Sequence, residues 1–166
     1  GGKELSEENA AQTAKALTII QPDFIRVHAT GIKLESKLGE FVRDGSFTLQ
    51  SEEEIVIEQK LFLQQLHEMD SYYVNEHIVN LLLEVRGNLR TEKQEMLSTI
   101  DRFLTLPPDE RLLFTVGRRL NIFFRLDDLK KPKLHQKAGE SLQQILSKNP
   151  HVDFAALCNY VRQSQI

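Results

Sequence analysis

The chain has 166 residues, a hydrophobic share of 40%, a charged share of 27% and a formal net charge of −3. These are the values of an ordinary globular protein, and they ask for neither nucleic acid nor an anionic membrane as partner. A single cysteine, Cys158, excludes an internal disulfide framework and a thiolate-held metal cluster, and points to a reducing cytoplasm.

No leader or anchor is expected. Lys3-Glu4-Leu5-Ser6-Glu7-Glu8 has no apolar core behind a basic head, and runs such as Leu81-Leu82-Leu83 fall far short of the roughly 20 residues that cross a bilayer. Gly1-Gly2 is either native or a cloning remnant.

The first helix is predicted from Ser6, a good N-cap, with Glu7 and Glu8 in its first turn. Ala10, Ala14, Leu17 and Ile20 recur at helical spacing, and Pro22 ends the pattern. Asp23–Thr30 is the one convincing strand, with Ile25 and Val27 on one face and Phe24, Arg26 and His28 on the other. So short a strand is either an isolated edge or part of a sheet lying largely outside the chain.

Leu34, Leu38, Phe41 and Val42 predict a short second helix closed at Asp44-Gly45. Ser51 and Glu54 form a capping box that opens an amphipathic helix through Ile55, Leu61, Phe62 and Leu66. Tyr72-Tyr73-Val74 is a second brief strand leading to Asn75-Glu76-His77. Ile78, Leu81, Leu82 and Val85 then predict a helix ended by Gly87. Another capping box, Thr91 to Gln94, opens a helix with Met96, Leu97, Ile100 and Phe103, which Pro107-Pro108 stops. Asp109 begins the next helix, and two more follow, the last capped by Asp153 with Val152 and Leu157 as a hydrophobic staple. The fold class is mainly α, a helical domain with a small αβ unit and one or two short strands at the N-terminus.

Few residues announce chemistry. Glu52, Glu53 and Glu54 sit where a helix N-terminus favours negative charge, so capping accounts for them. The five histidines form no HxxxH or HxH pair, and no Walker loop, HExxH, GxSxG or GxGxxG pattern occurs. Cys158 falls on the inner face of the last helix and reads as a buried structural thiol. The basic excess from Arg118 to Lys137 reads as a solvated face, because Asp127 and Asp128 interrupt it and no aromatic platform accompanies it; nucleic acid is not the expected partner. Arg26 and His28 stay open between two placements: an exposed edge, or a sheet interior that demands an anionic or polar counterpart.

One set of residues carries a resemblance. Gly1-Gly2-Lys3-Glu4-Leu5-Ser6-Glu7-Glu8-Asn9-Ala10, Thr13-Ala14 and Gln21-Pro22-Asp23-Phe24-Ile25-Arg26-Val27 resemble the late barrel region of bacterial radical S-adenosylmethionine (radical SAM) Fe–S oxidoreductases. So do Gly45-Ser46-Phe47, Leu49 to Ile55, Asn75 to Asn80, and Glu92 to Leu97 with Ile100-Asp101. The match runs in consistent order over residues 1–115.

The resemblance implies the C-terminal portion of such an enzyme. Residues 1–47 would be a remnant of the late barrel, 48–126 an α-helical C-terminal domain and 127–166 a terminal helical pair. The parent would carry a 4Fe–4S cluster on a CxxxCxxC loop and use S-adenosylmethionine. This chain lacks that loop, so it would bind no cofactor alone and would instead cover the barrel and shape the substrate pocket. Gly1, Gly2 and Arg26 would lie toward the cofactor, and His28, Asn75 and His77 toward an unidentified substrate. Its partner would be the rest of the barrel, with self-association through the exposed strand. The rival expectation is a free-standing helical protein-interaction module, in which the strand is satisfied internally.

Overall fold

The computed structural model describes residues 2–67 and 69–164. The first helix, α1 (Ser6–Ile20), leads to a short strand, β1 (Phe24–Arg26). Ser6 lies in the first turn of α1 and not at its N-cap, which is Leu5; its hydroxyl donates instead to Glu58 at 2.6 Å. The helix ends at Gln21 in the left-handed conformation (φ 49°), just before Pro22.

Helix α2 (Lys37–Arg43) starts at Ser36, whose hydroxyl accepts from the Gly39 amide at 3.1 Å. Helix α3 (Glu52–Gln65) has the full capping box: Ser51 Oγ accepts from the Glu54 amide at 3.2 Å, and the Glu54 carboxylate accepts from the Ser51 amide at 2.8 Å. Helices α1 and α3 pack together. Ala10 and Ala14, four residues apart and buried, give α1 a small-residue inner face that lets a neighbouring backbone approach closely.

The second strand, β2 (Tyr72–Val74), pairs in parallel with β1, placing Ile25 opposite Tyr73. A two-residue strand, β3 (Gly87–Asn88), joins antiparallel on the other side, so the order is β1-β2-β3 and β1 is an edge. The expected strand Asp23–Thr30 is therefore shortened to three residues. Past Arg26, the Val27 amide still donates to the Val74 carbonyl at 3.1 Å, and pairing by backbone ends there.

Residues 75–86 correct the helix expected from Ile78, Leu81, Leu82 and Val85; the segment is a succession of turns. Side chains take the carbonyls that a helix would use. Arg118 donates from Nε to Leu81 O (3.0 Å) and from Nη2 to Ile78 O (3.1 Å) and Asn80 O (2.9 Å). Asn75 Nδ2 donates to Leu82 O at 2.7 Å. Val79, Leu81, Leu82 and Val85 are all buried, so the apolar pattern marks core residues on an irregular backbone.

Helix α4 (Lys93–Leu104) lacks the capping box expected at Thr91–Gln94. Its N-cap is Glu92, whose carboxylate accepts from the Asn88 amide at 2.7 Å, tying the helix start to β3. Helix α5 (Pro108–Arg119) begins one residue before the expected Asp109, with Pro108 in the first helical position. Phe114 lies between Phe103 and Phe123, with ring centroids 5.8 and 5.9 Å away. Gly117 makes this possible: a Cβ there would stand 2.3 Å from the Phe123 ring.

After a 3₁₀ turn (Leu126–Lys130) come α6 (Pro132–Lys148) and α7 (Phe154–Ser164). Asp153 caps α7 as expected, its Oδ1 accepting from the amides of Ala155 (2.9 Å) and Ala156 (3.1 Å). The fold is mainly helical with a small three-stranded sheet. One apolar cluster runs from Ala10 through Leu63, Tyr73 and Phe114 to Ala138. Among the described residues, none from α7 belongs to it, and no helix is long and apolar enough to cross a membrane.

Candidate functional site

Where the β1–β2 ladder ends, two buried asparagines hold the chain in place of a neighbouring strand. Asn80 donates from Nδ2 to Val27 O (2.8 Å) and accepts at Oδ1 from the Ala29 amide (2.7 Å). Asn159, on α7, treats Ile32 the same way: its Oδ1 accepts from the amide (2.9 Å) and its Nδ2 donates to the carbonyl (3.1 Å). Beyond the Val27 amide, residues 27–32 are thus held by side chains and not by a β partner.

A cavity of about 420 Å³ opens between this segment, α1 and α3, within the range of small-molecule sites. It lies at the C-terminal ends of β1 and β2, lined by Val27 to Thr30 beyond one strand and Asn75 beyond the other. On the helical wall, the Glu58 carboxylate accepts from Ser6 Oγ (2.6 Å), Asn9 Nδ2 (2.6 Å) and Gln50 Nε2 (2.7 Å). Deeper in, Gln59 Nε2 donates to the Tyr73 hydroxyl at 2.9 Å. Burial raises the Tyr73 phenol well above its usual range, so this hydroxyl stays protonated.

At the rim, the His28 and His77 rings stack with centroids 4.1 Å apart. Burial, then the His77 ring, then Arg26 push the His28 imidazole below its ordinary value, which keeps it neutral more readily than a free histidine. Arg26 and His28 are exposed, so the open question about this face of β1 is answered by solvent and by a neighbouring imidazole.

A second polar centre lies behind the cavity. Glu52 is 5% exposed and is held by two buried guanidiniums: Arg119 Nε donates to its Oε1 at 3.1 Å, and Arg162 Nη1 donates to the same oxygen. Arg118 is fully buried beside them. Burial, with Arg119 adding repulsion, lowers Arg118 to about 10, and its position over the Phe124 ring, 5.7 Å from the centroid, offsets part of that cost. Both ends of the expected picture need correction here. Glu52 does lie in the first turn of α3 but is a buried ion-pair partner, and Arg118 and Arg119 do not belong to a solvated basic face.

Cys158 is buried near this centre, as its place on α7 predicts. Burial and the adjacent Glu52 push its thiol up to about 12. A 4Fe–4S cluster needs three thiolates, and this one protonated thiol does not fit that role.

Gly2, His28 and Asn75 all line the cavity, His77 stacks on His28 beside it, and Arg26 stands on the exposed face of β1. Gly2 has a left-handed backbone (φ +79°), and a Cβ there would meet the Phe47 ring at 2.8 Å. Gly1 lies outside the described residues. Asn75 follows a real strand but precedes a turn, not the expected helix. Known protein families, curated proteins and solved structures include none that matches this chain.

Sequence reading missed Glu58, Asn80, Asn159 and Arg162. Glu58 meets Ser6 and Asn9 across separations of 52 and 49 residues, and Asn159 meets Ile32 across 127, so no local spacing announces them. Arg119 did carry a signal: it follows Thr115 by four residues and Val116 by three, on the apolar phase of α5.

Proposed function

We propose that this chain is the C-terminal portion of a radical SAM protein, one that covers part of an α/β barrel and shapes its substrate pocket without being catalytic alone. The observation that carries this reading is the β1–β2 pair. Parallel strand pairs need a long crossover connection, and sheets built from them are typically covered by helices on both faces. Here β1 is an edge, and Phe24 and Tyr72 stack 6.2 Å apart with 56% and 44% of their surfaces exposed. A sheet that continued past β1 and was covered over these two rings would satisfy both the edge and the apolar face. The cavity at the C-terminal ends of the two strands is where ligands of α/β sheets gather. In this reading Gly2 and Arg26 face the cofactor side, and His28, Asn75 and His77 the substrate side.

The test is anaerobic isolation of the natural polypeptide that contains this chain. The expected result is a CxxxCxxC loop upstream, bound iron and labile sulfide, and reductive release of 5′-deoxyadenosine from S-adenosylmethionine. A natural polypeptide without that loop overturns the reading. It would favour the rival, a free-standing helical interaction module in which Phe24 and Tyr72 dock a protein partner.

A further inference from the structure

Charge at the polar centre behind the cavity is unevenly divided. Three buried guanidiniums, those of Arg118, Arg119 and Arg162, stand near one buried carboxylate, Glu52. Arg118 is occupied by backbone carbonyls and Arg119 grips Glu52 with two nitrogens. Arg162 differs. It is 2% exposed, binds Glu52 through Nη1 alone and, unlike Arg118 and Arg119, lines the 420 Å³ cavity. A buried, incompletely paired guanidinium at a cavity wall is an anion receptor, since a planar fork of donors matches carboxylate and phosphate oxygens.

The opposite sign lies elsewhere on the same wall. Glu58 is six residues along α3 from Glu52, about 9 Å at 1.5 Å per residue. It already accepts from three neutral donors. An anionic group is therefore repelled from the Glu58 end and drawn to Arg162, while a hydroxyl or amine of the same ligand suits Glu58.

We propose that the cavity binds a small organic anion, a carboxylate or phosphate ester, whose charged group is received by Arg162, so that binding fastens α7 onto the body of the protein. The second half follows from how α7 is held. It contributes nothing to the main apolar cluster among the described residues, although it packs on α5; its polar ties include Arg162 to Glu52 and Asn159 to Ile32. Both ties reach the cavity wall, because Ile32 also lines it. A helix attached in this way opens more readily than the core and gains most from an added ionic contact.

The inference rests on the proposed role of the cavity as a ligand site, but its test uses neither cluster nor S-adenosylmethionine, so the two readings fail separately. Inorganic phosphate and succinate are titrated into the full chain at constant ionic strength, with hydrogen exchange followed by mass spectrometry. The expected result is saturable slowing of exchange in α7 and around Ile32 at millimolar concentration of at least one anion, the stronger of the two identifying the phosphate or carboxylate class. Arg162→Gln weakens that response by about tenfold or more, the loss of roughly one charge-assisted contact, while Arg162→Lys keeps part of it. Absence of anion-dependent protection in wild-type α7, or an undiminished response in a folded Arg162→Gln protein, overturns the proposal. If Arg162→Gln does not fold, the wild-type exchange map decides alone.

Discussion

Cationic and imidazole side chains gather in two places in this molecule, and burial makes them behave differently. Around the open face of β1, Arg26, His28 and His77 lie at or near solvent, where water screens them and partial burial, with His77 and Arg26 adding repulsion, only shifts the His28 equilibrium. Around Glu52, the guanidiniums of Arg118, Arg119 and Arg162 are 0%, 4% and 2% exposed. There each charge needs a named partner, and removing one partner leaves the others stranded. The exposed group can change with little effect on the fold, whereas the buried group is part of what holds it together.

The sharpest way to break this comparison is to remove the anion at the buried centre. Glu52→Gln keeps the side-chain shape but leaves Arg119 and Arg162 without a counter-charge, and we expect a loss of about 3–5 kcal/mol in urea denaturation. Arg118→Met comes next. It strands the carbonyls of Ile78, Asn80 and Leu81, and about 3 kcal/mol is expected, with faster hydrogen exchange concentrated in residues 75–86. Tyr73→Phe removes a single buried hydroxyl and leaves Gln59 unpaired there, for about 1 kcal/mol by the same measurement.

At the exposed end, Arg26→Ala should change stability by less than about 0.5 kcal/mol. The smallest effect belongs to His28. Its folded pKa is depressed, so the unfolded chain takes up the proton first as pH falls through 6.5. The contribution of His28 is therefore complete above that pH and is lost gradually below it. Thermal melts should show a slight acid-side decline that is reduced in His28→Asn. An Arg26→Ala loss as large as that of Glu52→Gln would sink the distinction between the two regions.

How much of this was legible in the sequence follows the same division between local and distant partners. The capping box at Ser51–Glu54, the Asp153 cap and the end of α1 before Pro22 depend on residues within four positions of each other, and the structure contains them. The expected cap at Ser6 failed because Glu58, far along the chain, recruits its hydroxyl. The helix predicted over Ile78–Val85 failed for a related reason: apolar spacing reports burial, while backbone shape was decided by Arg118. At the site, His28, Asn75 and Gly2 were singled out and do line the cavity, but the charged groups that define its chemistry were not. Glu52 looked like a cap and Arg119 like surface charge, because their partners lie 67 and 110 residues apart in sequence.

The Arg118 side chain has a consequence for cooperativity. It spans 37 to 40 residues to reach three successive parts of the 75–86 segment, which has no ladder or helix of its own to hold it. That segment cannot open as an independent loop, nor can the end of α5 fray without releasing it. One guanidinium thus merges two stretches of distant sequence into a single unfolding unit, and the connection between β2 and β3 inherits the lifetime of a helix.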